Sequence, residues 1–425
     1  MKSLAEWLDY LERLHPSAID MGLERVRAVA SRLALTLDMP IVTVGGTNGK
    51  GSICAYLEAI LRHAGFRTGL YTSPHLLRYN ERIRIDGLEV EDATIVRAFQ
   101  PIEQARAGTS LTYFEFGTLA AALIFRQARV EALILEVGLG GRLDAVNIFD
   151  ADCAVIASVD LDHMAFLGND REAIGREKAG IMRAGRPAIC ADPDPPAALI
   201  AHAQAIGATL RLIGRDFGYS ADRLQWNFWG PAGKRNALAA PSLRGEHQLA
   251  NAAAALAALD ELKSRLPVGM DAVRMGLATV ALPGRYQVLP GEPAVVLDVA
   301  HNPHAARALA ANLRAHRGFR RTLAVFAMLV DKDIGAVVDA VKSEVDGWHV
   351  APLGIARGAS ADAIAAIIAS HDQAKPVRVF DSPADAYCDA CKIADRNDRI
   401  LVFGSFHTVA EVLASRAREA DGNPR

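Results

Sequence analysis

The sequence has little cysteine, no excess of either charge and no long uninterrupted apolar run. Its 425 residues include five cysteines, too few and too scattered for a disulfide framework, so we expect a reducing compartment. Lys and Arg number 47 against 49 Asp and Glu. This balance argues against nucleic acid or an anionic membrane as a partner, because either needs a basic surface. The most apolar stretch, residues 111–125, contains Glu115 and is shorter than the roughly 20 residues that span a bilayer.

The rest of the composition is typical of a folded protein. Hydrophobic residues make up 51% and charged residues 23%, which excludes an intrinsically disordered chain. The N-terminal stretch carries Glu6, Asp9 and Glu12 and so lacks the apolar core of a secretory signal. We therefore expect a cytoplasmic protein. Cys388 and Cys391 form a CxxC without a second pair, which we interpret as two positions on one helix face rather than a redox or zinc site.

The pattern of apolar runs predicts an α/β fold with more than one domain. β-branched runs alternate with Ala- and Leu-rich stretches of helical period, which is typical of βαβ units and a mostly parallel sheet. Residues 82–90 alternate around Asp86-Gly87, a hairpin signal. Strands are predicted at residues 41–44, 68–71, 131–137 and 154–159, with helices at about 52–64, 114–127 and 171–182.

A second α/β series follows the segment LPGRYQVLPGE at residues 282–292, where two Pro-Gly steps break the pattern. We predict a first domain at residues 1–284, a linker at 285–292 and a smaller Rossmann-like domain at 293–425. The segment between them is also a plausible hinge for closing one domain on the other. Strands of the second series are predicted at residues 294–298, 322–328, 377–380 and 399–403.

A glycine-rich loop between a predicted strand and a predicted helix indicates a nucleoside triphosphate site. It reads GGTNGKGS from Gly45 to Ser52, and such loops surround phosphates with backbone N–H groups while a lysine neutralises their charge. The match to G-x-x-x-x-G-K-[ST] is imperfect, because Val44 stands where glycine is needed and Gly51 intervenes after Lys50. The alternative is an ordinary βα turn. We favour the phosphate site, with Thr47, Asn48, Gly49, Lys50, Gly51 and Ser52 as its residues.

The spelling GTNGKGS resembles the Mur ligase superfamily of ATP-dependent amide-forming enzymes, and within it the folate branch, the folylpolyglutamate synthases. Each further match is weak alone, but ten follow in the family's order. They are TSPHL (72–76), YNERIRIDG (79–87), LTYFEFGTLAA (111–121), EVGLGGRLDAVN (136–147), LDH (161–163), REKAGI (176–181), LPGR (282–285), DVAHNPHA (298–305), MLVDKD (328–333) and GSFHTV (404–409). The resemblance implies a phosphate-loop central domain of Mur-ligase type and a smaller C-terminal ligase domain.

ATP acts as a magnesium complex, and Mg²⁺ prefers oxygen ligands. Open α/β sheets bind their ligands at the carboxyl edge. Glu136, Ser73 and His163 each follow or close a predicted strand, so we expect all three at one cleft. The resemblance implies that these three are metal ligands. From the residues alone, the favoured interpretation of His163 is a loop histidine that hydrogen-bonds Asp160 or Asp162.

Lys178 and several residues nearer the C-terminus receive roles only through the resemblance. By pattern alone Lys178 is a solvated surface lysine; in related enzymes the matching lysine is carbamylated and supports a second Mg²⁺. The resemblance also implies ATP contacts for Asn251, Arg285 and Asp298, and places His301 and Ser405 near the incoming glutamate. The alternative for Asp298 and for Asn302 is that they cap the next helix. We take Lys50, Lys178 and His301 as the catalytic candidates.

The acid to be activated is indicated by the N-terminal segment LERLHPSAIDMGLERV. It resembles the segment that helps to hold dihydropteroate in bifunctional bacterial members of the family. Tyr113, Phe114 and Phe116 could stack on a pterin, although aromatics in an apolar helix are more often core. The family usually has threonine where this chain has Val146. The substrate-binding candidates are Asp20, Met21, Thr112, Tyr113, Phe114, Glu115, Leu143, Asp144 and Ala145, with Ser405 for glutamate.

The resemblance therefore implies a ligase that joins L-glutamate to 7,8-dihydropteroate, and further glutamates to reduced folates, through an acyl phosphate. ATP and two Mg²⁺ ions are the expected cosubstrate and cofactor, and we expect a monomer without nucleic acid or membrane partners. Three alternatives stay open: folylpolyglutamate synthase activity alone, a ligase for a peptidoglycan precursor, and a phosphate-loop switch module that makes no amide.

Overall fold

The computed structural model describes residues 2–222 and 225–420 and divides the chain into two compact units. The first unit comprises the residues up to Ser242 together with Gln248–Ala281, and the second comprises Leu243–His247 with the residues from Leu282 onward. The unit division at Ala281 and Leu282 lies within a few residues of the predicted boundary. Residues 285–292, predicted as a linker, include a strand of the second unit's sheet, Gln287–Leu289.

The described part of the first unit contains an eight-stranded sheet and a three-stranded sheet. The first sheet has the order β4-β3-β2-β5-β1-β6-β7-β8 and the second the order β11-β10-β9. The strands are β1 Ile41–Gly45, β2 Thr68–Tyr71, β3 Ile83–Ile85, β4 Leu88–Glu89, β5 Ala132–Glu136, β6 Cys153–Ile156, β7 Pro187–Cys190, β8 Thr209–Leu212, β9 Gly218–Ala221, β10 Gln225–Gly230 and β11 Gly233–Ala239.

Helices accompany these strands in alternation, as βαβ units require. They are α1 Leu4–Leu14, α2 Glu24–Arg32, α3 Lys50–His63, α4 Asp92–Arg106, α5 Tyr113–Ala128, α6 Met164–Leu167, α7 Arg171–Ala179, α8 Ala197–Ile206, α9 His247–Glu261 and α10 Met270–Thr279, with short 3₁₀ helices at Tyr79–Arg82 and Ala145–Ile148.

Strands β2, β5, β1, β6, β7 and β8 are parallel neighbours, whereas β3 and β4 pair antiparallel as the predicted hairpin. Every residue of β1, β5 and β6 is buried, which is why these strands read as continuous apolar runs. Because their carboxyl ends share one edge, the segments that follow β1, β2, β5 and β6 meet there. The predicted α/β class with a mostly parallel sheet is confirmed.

Helix α5 is buried over its whole circumference from Glu115 to Phe125, as expected for a core helix that is apolar on every side. Its aromatic Phe116 packs edge-on against Phe99 and near Trp7. The stretch with the most apolar sequence is thus the central helix of the first unit's core. Among the described residues, no helix is both long enough and apolar enough to cross a bilayer.

The second unit contains a six-stranded sheet, in the order β12-β13-β17-β14-β15-β16, within the described residues. All neighbours are parallel except β12 and β13. The elements are β12 Gln287–Leu289, β13 Ala294–Leu297, β14 Thr322–Phe326, β15 Gly347–Val350, β16 Val377–Val379, β17 Arg399–Phe403, α11 Pro303–Ala315, α12 Ile334–Val341, α13 Ala361–His371, α14 Pro383–Ile393, α15 Phe406–Ala420 and a 3₁₀ helix Lys342–Glu344.

Some predicted bounds were wrong. The strand predicted at 154–159 ends at Ile156, because Ala157 and Ser158 turn to bind the phosphate loop. The helix predicted at 171–182 ends at Ala179. Cys388 and Cys391 lie on α14, half-buried and outside any disulfide.

Candidate active site

The loop between β1 and α3 approaches its neighbours too closely for larger residues. Gly46 has φ 138° and Gly49, the residue before α3, has φ 93°. An added Cβ on Gly46 would lie 2.8 Å from the Cβ of Ala157, and one on Gly49 would lie 2.6 Å from Oδ1 of Asn251. Both positions therefore need glycine for conformation and for space. The predicted ATP contact Asn251, on α9, lies directly against the loop.

Hydrogen bonds hold the loop to the segment after β6. The N–H of Thr47 donates to the Ser158 carbonyl at 2.6 Å. The Thr47 hydroxyl donates to the Asp160 carbonyl and accepts the Asp160 N–H, both at 3.0 Å. The Asn48 N–H donates to the Ser158 hydroxyl at 3.2 Å. The loop conformation is therefore fixed by the protein itself, as a preorganised phosphate site requires.

Lys50 and Ser52 begin α3 at the end of this loop. The Lys50 ammonium donates to the carbonyls of Gly46 at 3.0 Å and Thr47 at 3.3 Å, so its charge lies over the loop. The Ser52 hydroxyl accepts from Nε2 of Gln248 at 3.2 Å, and the Gln248 side-chain oxygen accepts from Asn251 at 3.1 Å. Gln248 thus joins two predicted ATP contacts. Sequence reasoning missed it, although it lies three residues before Asn251 on one helix face.

Two of the three predicted metal ligands lie together at the carboxyl edge. Glu136 ends β5 opposite Val44 of β1, just before the phosphate loop. Glu136 is 5% exposed, and its carboxylate accepts the backbone N–H of Ser73 at 3.1 Å. A buried carboxylate and a serine beside a phosphate loop form an oxygen donor set that suits Mg²⁺. These residues fit the predicted metal.

His163 lies three residues beyond Asp160, on the segment that holds the phosphate loop. Its backbone has φ 51°, and its N–H donates to Oδ1 of Asp162 at 2.9 Å. The ring Nε2 lies 4.0 Å from Oδ2 of Asp162, which is beyond hydrogen-bond distance. Within residues 2–222 and 225–420, no group of three or more His, Cys, Asp or Glu side chains is placed to hold a metal ion. The role of His163 as a metal ligand therefore stays a prediction.

Lys178 is the main correction to the pattern-based interpretation. It is not a solvated surface lysine: its exposure is 4%, because α7 lies against the glycine loop after β5, where a Cβ on Gly141 would be 3.1 Å from the Lys178 carbonyl. Burial, aided by the charge of Lys50 and opposed by Asp162, lowers the pKa of Lys178 from 10.5 to about 7. A substantial neutral amine fraction at neutral pH follows.

The predicted substrate-binding residues of three segments lie side by side. Asp20 forms an ion pair with Arg25 at 2.8 Å, and Arg25 reaches Glu115 at 3.2 Å. Met21 approaches Gly140, whose added Cβ would lie 3.5 Å from the Met21 Cε. Arg25 therefore joins the segment containing residues 20–21 to the start of α5, and Met21 approaches the glycine loop that leads to residues 143–145.

Thr112 and Glu115 also have a structural role that sequence reasoning missed. The Thr112 hydroxyl accepts the Glu115 N–H at 3.2 Å, and Glu115 accepts the Thr112 N–H at 2.7 Å. This reciprocal pair is a capping box at the start of α5. The spacing T-x-x-E before an apolar run was the signal that could have found it.

Of the three aromatics at the start of α5, one lies in the core and two are half-buried. Phe116 is fully buried among Trp7 and Phe99, so for this residue the core interpretation holds. Tyr113 and Phe114 are half-buried. Phe114 packs at 5.7 Å from Tyr71, and the guanidinium of Arg82 lies 5.4 Å from the centre of the Tyr113 ring.

Asp144 and its neighbours form a turn beside these aromatics. Asp144 is buried, caps the 3₁₀ helix by accepting the Val146 N–H at 3.0 Å, and accepts the Leu139 N–H at 2.8 Å. Burial raises its pKa from 3.8 to about 6, against those backbone hydrogen bonds. Leu143 is half-buried and Ala145 is buried. Val146 is fully buried in the core, so the side chain that replaces the family's threonine contacts apolar groups.

The second unit gathers its own candidates around β13 and α15. Asp298 follows β13 and accepts the N–H groups of Tyr286 and Ala300, each at 2.8 Å. It does not cap α11; that cap is Asn302, which accepts the Ala305 N–H at 2.9 Å. Burial raises the pKa of Asp298, and Arg285 opposes this.

Arg285, His301 and Ser405 lie around Phe406. The Arg285 guanidinium is 5.0 Å from the centre of the Phe406 ring, and the His301 ring centre is 6.2 Å away. Ser405 is 3% exposed; its hydroxyl accepts the Thr408 N–H at 3.0 Å and bonds the Thr408 hydroxyl at 2.6 Å. In this structure the Ser405 side chain therefore caps the first turn of α15.

Models of two domain families match the chain. The Mur ligase middle domain matches residues 44–259, and the Mur ligase glutamate ligase domain matches residues 284–406. A curated relative from Escherichia coli (strain K12), dihydrofolate synthase/folylpolyglutamate synthase, is 48% identical over 96% of this chain and 94% of its own length.

Two solved structures show the same fold. One is E. coli FolC in complex with DHPP and ADP, with a TM-score of 0.94, 47% identity and coverage of 99% of both chains. The other is a bifunctional folylpolyglutamate synthase/dihydrofolate synthase with Mn, AMPPNP and L-glutamate bound, with a TM-score of 0.90, 46% identity and coverage of 98% of both chains.

Proposed function

Because this chain belongs to the Mur ligase family, and within it to the dihydrofolate synthase/folylpolyglutamate synthase type, we propose that it uses ATP to join L-glutamate to 7,8-dihydropteroate and to reduced folates. The solved relatives bind ADP, AMPPNP, Mn and L-glutamate, which are the ligands this reaction needs or their analogues. The observation in this chain that carries the proposal is the phosphate loop itself: Lys50 lies over it, and it follows Val44, which pairs with the buried Glu136.

The proposed reaction has two steps. A carboxylate oxygen of the folate acid attacks the γ-phosphorus of ATP, ADP leaves and an acyl phosphate forms. The neutral amine of glutamate then attacks the acyl carbon, loses a proton, and phosphate departs with the amide in place. Charge on the phosphoryl oxygens is stabilised by the backbone N–H groups at the start of α3, which follows Gly49, and by Lys50.

Glu136, Ser73 and His163 would hold magnesium, which when bound neutralises phosphate charge. Support comes from the Glu136 carboxylate, whose burial and contact with the Ser73 N–H put oxygen donors next to the loop. We propose a second Mg²⁺ near Lys178, with this lysine carbamylated. Carbamylation needs the neutral amine, and the lowered pKa of Lys178 supplies it.

The remaining assignments are divided between the two units. In the first, Thr47 to Ser52 and Asn251 are proposed to contact ATP, and the three adjoining segments at residues 20–21, 112–115 and 143–145 are proposed to hold the pterin. In the second, we propose that Arg285 and Asp298 contact ATP and that His301 and Ser405 serve glutamate. Arg285 and His301 both lie near the ring of Phe406, which supports neighbouring roles for these two residues within the second unit.

We also propose that the protein acts as a cytoplasmic monomer on small molecules, without nucleic acid or membrane. The net charge of −2 supports this, since the ligands are small anions. Light scattering after gel filtration tests the monomer: a mass near 45.5 kDa is expected, and twice that mass would contradict it.

The function itself is tested by ADP release from the purified protein with ATP, Mg²⁺ and L-glutamate, adding dihydropteroate or tetrahydrofolate in turn. Both acids should support release, and mass spectrometry should show the amide product. Release with tetrahydrofolate alone would select the monofunctional enzyme. ATP hydrolysis without any amide product would favour the switch module.

A further inference from the structure

A single arginine joins two segments of the proposed pterin pocket. Arg25 lies on α2, and its neighbours Leu23, Val26 and Val29 are buried, so the backbone that carries it is anchored in the core. Its Nη1 donates to Oδ2 of Asp20 at 2.8 Å, and its Nη2 donates to the Asp20 carbonyl at 2.8 Å. Two parallel donations of this kind fix the geometry of the loop before α2 as well as its position.

The same guanidinium reaches the start of α5. Nη2 lies 3.2 Å from Oε1 of Glu115, and Nε lies 3.5 Å from Oε2. Glu115 is 3% exposed and already belongs to the capping box with Thr112. A buried carboxylate needs a charged partner, and Arg25 provides it. The arrangement of Asp20, Arg25 and Glu115 is called the Arg25 bridge below.

The bridge is well placed to set the shape of the pocket. Met21, next to Asp20, lies over Gly140, while Phe114, next to Glu115, packs against Gly138. Asp144 also approaches Gly138, whose added Cβ would lie 3.4 Å from its Oδ2. Movement of the loop at Asp20 relative to α5 would therefore change the spacing of groups on both sides of the pocket.

We propose that Arg25 is a positioning residue for the pterin end of the substrate, holding the Asp20–Met21 loop against α5 so that dihydropteroate fits. This inference rests on the proposed function. Arg25 acts through Asp20 and Glu115 and not on the reacting carboxyl group. Its loss should therefore raise the KM for dihydropteroate and leave the KM values for ATP and glutamate unchanged.

The test compares steady-state kinetics of the wild type, Arg25→Met, Glu115→Gln and the double variant Arg25→Met/Glu115→Gln. Glutamine keeps an oxygen that can accept the Thr112 N–H, so the cap of α5 survives. The double variant removes the buried charge with its partner, which guards against a simple failure to fold. Arg27→Met is the matched control, because Arg27 lies on the same helix and is exposed.

We expect Arg25→Met to raise the KM for dihydropteroate about tenfold, with kcat lowered much less. The double variant should raise the KM for dihydropteroate no more than Arg25→Met does, because the two residues act as one unit. Arg27→Met should match the wild type. Should Arg25→Met not fold, the double variant and Glu115→Gln carry the same comparison.

Three results would overturn the inference. The first is an unchanged KM for dihydropteroate in the folded double variant, and the second is an equal rise in the KM for ATP. The third is a double variant in which the effects of the two single variants on the KM for dihydropteroate multiply, as they would for independent residues. These outcomes are distinguishable from failure of the proposed function, in which the wild type itself would release no ADP when dihydropteroate is supplied. That result would reject both.

Discussion

The burial of Lys178 predicts that the stability of the protein depends on pH in the neutral to alkaline range. Its pKa is lowered from 10.5 to about 7, chiefly by burial. Between these pH values the unfolded chain binds one proton more than the folded chain, so the free energy of unfolding rises with pH. Each pH unit in this window corresponds to about 1.4 kcal/mol.

The measurement is urea unfolding of the wild type and Lys178→Met in CO₂-free buffer at about pH 7.5 and about pH 9.5. Methionine has similar length and no titrating group, so the difference between the two proteins isolates Lys178. The free energy of unfolding of the wild type should gain on that of the variant by roughly 2 to 3 kcal/mol over this range. Background titrations that the two proteins share cancel in the difference.

Bicarbonate provides a second readout of the same amine. Carbamylation draws on the neutral form, so bicarbonate near pH 7.5 should stabilise the wild type by mass action and leave Lys178→Met unchanged. ¹³C-labelled bicarbonate should give a carbamate resonance in the wild type only. A pH-independent difference in stability, together with no carbamate resonance, would refute the reasoning that burial prepares this lysine for modification.

Four further substitutions test separate parts of the site and core. Lys50→Ala should lower kcat by about 10²- to 10³-fold with both folate acids, because the charge over the phosphate loop is lost. His163→Ala should raise the Mg²⁺ concentration for half-maximal activity about tenfold or more. Asp20→Ala should weaken use of dihydropteroate more than use of tetrahydrofolate, measured as kcat/KM. Phe116→Ala should lower the free energy of unfolding by about 3 to 5 kcal/mol in urea titrations, since this ring is fully buried.

Each of these has a contradicting outcome. Retention of more than a few per cent of kcat would remove Lys50 from charge stabilisation, and an unchanged magnesium titration would remove His163 from the ligands. Equal losses with both acids would show that the Asp20 segment does not discriminate substrates. A stability loss below about 1 kcal/mol would mean that the Phe116 ring is not a core element.

Local sequence patterns predicted the parts of the molecule that depend on short-range geometry. The strand, glycine loop and helix around Lys50 lie where the spacing indicated, because chain direction and the positive φ of Gly49 decide them. The cap at Asn302 was likewise foreseeable, since its partner Ala305 is three residues away. Bounds at 154–159 failed because the ends of β6 are determined by contacts with a distant loop.

Residues decided by tertiary contacts could not be predicted. Lys178 sits in the polar-looking sequence REKAG, and its burial arises from the packing of α7 beside Gly141. Gln248 and Arg25 join segments about 196 and 90 positions apart along the chain, which no local pattern encodes. The strand β15 was missed because it has only four residues and His349 interrupts its apolar run.

The central claim is that this chain makes an amide between a folate acid and glutamate at the expense of ATP. The most direct measurement is product analysis after incubation with dihydropteroate, L-glutamate, ATP and Mg²⁺, with Lys50→Ala as the matched control. Dihydrofolate, ADP and phosphate should appear in equal amounts from the wild type, and dihydrofolate should be nearly absent from the control. ADP without dihydrofolate, or equal product from both proteins, would contradict the account.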